Sequence, residues 1–129
     1  MVETSDHKHT ARWDEKEGVI KHQVSGPYDE QDADELLKET AEIEQRFHGK
    51  KLKVLLDLSG AGKVTSEARR TIAEKVYQDP DLGKIASFGL SSFARVVNSF
   101  MIRAARVSGD EVRIFYIKEN ALKWLKEGE

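Results

Sequence analysis

Apolar and polar residues alternate on both sides of Glu17-Gly18 in "HTARWDEKEGVIKHQVSG", with Ala11 and Trp13 before the break and Val19, Ile20 and Val24 after it. A two-residue period interrupted by a glycine predicts a β-hairpin. Beyond a predicted turn at Gly26-Pro27 the period lengthens. "DEQDADELLKETAEIEQRF" puts Ala33, Leu36, Leu37, Thr40, Ile43 and Phe47 on one face of a helix with an acidic first turn, ending near Gly49. "KLKVLLDL" (51–58) is mostly apolar, as expected of a strand covered on both faces. "TSEARRTIAEKVYQ" (65–78) predicts a second helix, with Ala68, Ile72 and Val76 inward and Asp79-Pro80 as its stop. "GKIASFGL" (83–90) reads as a buried strand, "SSFARVVNSFMIRAARV" (91–107) as a serine-capped helix, "DEVRIFYI" (110–117) as a strand and "KENALKWLKEG" (118–128) as a closing helix.

The predicted order is ββαβαβαβα, an α/β fold with a mixed sheet of about five strands and four helices. Three successive strand-helix units joined by short loops call for a parallel core with right-handed crossovers, and the hairpin adds an antiparallel part. Strands 52–57 and 84–88 are expected at the centre. With 129 residues the chain suits a single domain, 1–129, and its polar start, residues 1–8, is expected to be disordered. Apolar residues at 39% and charged residues at 34% fit neither a disordered chain nor a membrane protein.

Formal net charge is −2, from 21 basic and 23 acidic residues, so any anion site must be local and nucleic acid is not an expected partner. The absence of cysteine removes disulfides and thiol chemistry and fits a reducing compartment. No apolar run spans a bilayer and the opening lacks a signal-peptide core, so a cytoplasmic protein without membrane insertion is expected.

"KVLLDLSGAGKVTSEAR", "KIASFGLSSFARVV" and "VRIFYIKENALKWLKEG" together resemble the SpoIIAA-like family over residues 16–127. These are small STAS-type domains, similar in fold to anti-sigma factor antagonists and to Sec14 lipid-binding domains. The resemblance implies a single STAS/SpoIIAA-like domain and a non-enzymatic regulatory module with a protein partner, responsive to phosphorylation or a small anion. Its alternative implication is a Sec14-like binder of a small apolar or amphipathic ligand. In anti-sigma factor antagonists the corresponding helix opens with Asp-Ser, and the partner kinase phosphorylates that serine. Here Thr65 stands for the aspartate and Ser66 for the serine, so the pair is a candidate phosphorylation site or a plain helix cap.

The glycine-lysine pair in "LSGAGKV" is not a nucleotide loop. Asp57 occupies the position of the first glycine and Val64 that of the magnesium-binding hydroxyl, so Gly60 and Gly62 read as a tight loop between strand and helix. Ligands of open α/β sheets sit beyond the carboxyl ends of the strands, which makes Ser59, Lys63, Ser91, Ser92 and Arg95 a candidate anion or ligand cluster. On the 92–107 helix, Phe93, Val97, Phe100, Met101, Ala104 and Val107 share an apolar arc, while Arg95, Asn98, Ser99, Arg103 and Arg106 lie opposite with Ile102 among them. Ile102, Arg103 and Arg106 are accordingly a candidate interaction surface, as in a homodimer. His7, His9, His22 and His48 form no ligand set and no nucleophile is spaced to a base, so neither a metal, a cofactor nor catalysis is expected. Asp57 is the best-placed single carboxylate.

Overall fold

A computed structural model of the chain describes residues 10–47, 51–76, 82–89 and 112–127. Five strands form one sheet in the order of the chain: β1 (Thr10–Asp14), β2 (Val19–Tyr28), β3 (Leu52–Val64), β4 (Leu82–Phe88) and β5 (Val112–Phe115). β1 and β2 are antiparallel; every later neighbour pair is parallel. The described helices are α1 (Glu30–Gln45), α2 (Ser66–Thr71), which runs on into a π-helical turn at Ile72–Val76, and α3 (Lys118–Lys126). The expected helix at 91–107 lies outside the described residues, as does the expected disordered start.

The hairpin closes as its sequence dictates. Gly18 adopts φ 71°, where a side chain is disfavoured, and its N–H donates to the Asp14 carbonyl at 2.8 Å. α1 starts with a reciprocal cap: Asp29 Oδ1 accepts from the Asp32 N–H and Asp32 Oδ2 from the Asp29 N–H, both at 3.0 Å. Its buried residues are Ala33, Leu36, Thr40 and Ile43, with Leu37 and Phe47 partly covered, which is the face the periodicity predicts.

Both faces of the sheet are used, which explains why the middle strands read as continuous apolar runs. Ile20, Val54, Leu56, Ile85 and Val112 pack with Ile43 of α1, whereas Val19, Leu55, Ala86 and Phe88 pack with Ala121, Trp124 and Leu125 of α3. A third cluster joins Val24 and Tyr28 to Ala33 and Ala68. The expected central strands are indeed interior: β3 lies between β2 and β4, and β4 between β3 and β5.

Two expected breaks are strand instead. Gly26-Pro27 belongs to β2, and residues 59–64 continue β3 rather than forming a loop. The glycines accommodate irregularity within the ladder. Between the pairs Gln23↔Asp57 and Ser25↔Gly60, and again between Gly26↔Ala61 and Tyr28↔Val64, β3 spends one more residue than β2. A glycine inside a strand commonly marks such a bulge, and the spacing of Gly60 and Gly62 fits the two shifts.

Candidate functional site

The carboxyl edge of the parallel strands gathers Asp57, Ser59 and Gly89. Asp57 Oδ1 accepts from the Ser59 N–H at 3.0 Å and from Ser59 Oγ at 2.6 Å. Asp57 pairs in register with Phe88, the last residue of β4, and Gly89 then turns the chain at φ 92°. A Cβ on Gly89 would stand 2.6 Å from the Ser59 nitrogen, so only glycine lets the chain leave β4 against this part of β3. Ser59 thus meets the exit of β4, as the sequence suggests. Lys63 does not join it through a compact loop: it stands four positions further along β3, on the order of 13 Å away. Ser91, Ser92 and Arg95 lie outside the described residues, as do Ile102, Arg103 and Arg106.

The two candidate hydroxyls at the start of α2 have different jobs. Thr65 is the N-cap: its Oγ1 accepts from the Ala68 N–H at 3.1 Å, and its own N–H donates to the Tyr28 carbonyl at 3.0 Å. Ser66 is the first helical residue and is exposed, its Oγ accepting from an Arg69 guanidinium N–H at 3.4 Å. Glu67 stands next to it, so Arg69 supplies the compensating cation.

On the same edge the chain exposes two large apolar side chains that periodicity assigned to a strand. Tyr116 and Ile117 follow β5 and are 69% and 50% exposed. Their signal was the end of the "VRIF" run itself, since the ladder to β4 stops at Phe115.

His22 is fully buried on β2. Thr40 Oγ1 donates to the Leu36 carbonyl at 2.8 Å, so it can only accept from His22 Nε2, 2.9 Å away. That places the imidazole proton on Nε2 and leaves Nδ1 bare, with no partner among the described residues. Burial alone pushes the His22 pKa down to about 3. The buried Ser87 hydroxyl is two strands away, the register running His22↔Leu56↔Ser87, so a separation of roughly 10 Å precludes a serine-histidine pair. Among the described residues no three histidine or carboxylate groups are placed to hold a metal ion.

The SpoIIAA-like family model matches residues 19–126, from the first residue of β2 to the last of α3. The chain belongs to the SpoIIAA-like family. Solved structures repeat the architecture. An uncharacterised SpoIIAA-like protein of the DUF3478 family from Shewanella loihica aligns with TM-score 0.60 at 16% identity, covering 97% of this chain and 99% of that one. The anti-sigma factor antagonist SpoIIAA in its unphosphorylated form aligns with TM-score 0.64 at 9% identity, over 94% and 99% of the two chains. At such identities the likeness is one of fold. No curated protein matches the sequence. Among the described residues no helix is long and apolar enough to cross a membrane.

Proposed function

We propose that this SpoIIAA-like chain is a non-enzymatic switch module that binds a protein partner across the carboxyl edge of its sheet and is modulated at Ser66. The observation that carries this reading is the division of labour at α2: Thr65 takes the cap, so the Ser66 hydroxyl is exposed and spare. A phosphate there would add a charge of about −1.5 to −2, and Arg69 already lies against the hydroxyl oxygen that would carry it. Tyr116 and Ile117 offer apolar contact on the same edge, where aromatic anchors contribute most to protein association. A small-ligand carrier would need an apolar cavity, and the apolar arc of residues 92–107 that could line one lies outside the described residues.

The test is capture of partners from a lysate of the native cells on immobilised wild-type, Ser66→Ala and Ser66→Asp proteins, with intact-mass analysis of the native protein. The expected result is a partner held by wild type and Ser66→Ala and released by Ser66→Asp, together with an 80 Da species mapped to Ser66. Equal capture by all three proteins, with unmodified native protein, would remove Ser66 from the mechanism.

A further inference from the structure

The opposite margin of the sheet, the edge of β1 that pairs with no strand among the described residues, is unconnected with Ser66 and carries its own design. The Ala11 N–H points away from β2 and donates to Glu39 Oε1 of α1 at 2.9 Å. By the two-residue period of an antiparallel ladder, the N–H and C=O of Trp13 face the same free edge. Between this edge and α1 runs a groove of about 700 Å3, its lining combining Ala11, Trp13 and Ile43 with Arg46 and the carboxylates of Glu15, Glu39 and Glu42. Trp13 forms its aromatic wall, its ring tilted 39° against that of Phe47 with centroids 4.5 Å apart.

On the other face of the hairpin the side chain of Arg12 stands across from that of Lys21, with Asp14 two residues along the same row, and neither cationic side chain has an ion pair or hydrogen bond among the described residues. Like charges opposite one another destabilise a sheet. A strand added to the β1 edge would place its own side chain beside Arg12 in that row, so a carboxylate there would relieve both cations. Its neighbours on either side would point into the groove, where Trp13 and Ile43 suit apolar side chains and Glu15, Glu39 and Glu42 disfavour acidic ones.

We propose that the β1 edge docks an extended peptide segment of alternating apolar and acidic residues, by strand addition. The peptide carbonyls and N–H groups pair with Trp13 and with Ala11, displacing Glu39 from the latter. Main-chain bonds hold the segment and the alternating pockets select it. A second copy of the chain is the wrong occupant. In the antiparallel register that uses both outward-facing residues of each β1, Arg12 would face Arg12 of the copy, a repulsion that protects edges from self-pairing.

The probe is the blocked peptide Val-Asp-Val-Asp-Val, titrated into isotopically labelled protein and followed by amide NMR, beside its Val-Lys-Val-Lys-Val counterpart. The acidic peptide is expected to bind, with the largest shifts at Ala11 and Trp13, and the lysine peptide at least about tenfold more weakly. In the surface variant Arg12→Glu/Lys21→Glu, whose unchanged spectrum elsewhere reports the fold, that preference should reverse. Absence of binding at millimolar peptide, equal binding of both peptides, shifts centred elsewhere, no reversal in the variant, or a dimer in sedimentation that occludes β1 would each overturn the proposal.

Discussion

Acidification should destabilise this fold through His22, and the size of the effect follows from its surroundings. The ordinary imidazole pKa of about 6.5 applies in the unfolded chain, whereas in the folded protein burial lowers it to about 3. Between those values the unfolded state binds a proton that the native state refuses, so stability rises with pH, by about 1.4 kcal/mol per unit in the middle of the window. The contribution is fully present above pH 6.5 and lost as pH falls towards 3. From pH 7.5 to 4.5 the linkage relation gives a loss of about 3 kcal/mol, a sizeable part of the 5–15 kcal/mol that typically stabilises a domain. Urea melts at both pH values would carry contributions from carboxylates as well, so the comparison should be made against His22→Gln. A glutamine amide can still donate to Thr40 Oγ1 but does not titrate. The difference between the two proteins should shrink or change sign by about 3 kcal/mol on going to pH 4.5. Parallel pH profiles for wild type and variant would refute the argument, because they would mean that His22 is protonated in the native state or is not buried there.

Thr65→Ala should cost about 0.5–2 kcal/mol in urea melts by leaving the Ala68 N–H uncapped, whereas Ser66→Ala should cost clearly less. Gly89→Ala should destabilise by about 1–3 kcal/mol, since φ 92° disfavours a side chain and its Cβ would meet the Ser59 backbone; Ser59→Gly should not rescue it in thermal melts. Leu55→Ala and Leu56→Ala should each cost about 2–5 kcal/mol although they point to opposite faces, one against α3 and the other on the α1 side. A surface-sized loss for either would mean that one layer of helices is not in place.

The periods of the sequence carried most of this architecture because each element faces a distinct environment. Thr40 on the apolar face of α1 was legible as a position, but its bond to His22 was not, since the partner lies 18 residues away on another element. The strand character of 59–64 was hidden for a related reason. Glycine is the usual punctuation of a loop, and what overrides that preference here is the ladder supplied by β2, with its two bulges. The capping pair was legible as a pair only. A serine and a threonine both cap well, and the choice between them is made by the Thr65 N–H bond to Tyr28, which fixes the last strand residue and hence the first helical one.

That bond also bears on the switch proposed at the start of α2. Tyr28 pairs with Val64 in the ladder and its side chain is buried with Val24, Ala33 and Ala68. The helix start is therefore tied to the core from two directions, through the Thr65 backbone and through the Ala68 side chain. Ser66 projects from this fixed base into solvent, and among the described residues its hydroxyl meets the Arg69 guanidinium. Under the proposed switch, a charge placed on Ser66 would have little packed structure to disrupt and a cation at hand, so its effect would fall on the surface a partner meets. A fold built to rearrange would instead place the modified hydroxyl in the cap, where Thr65 stands.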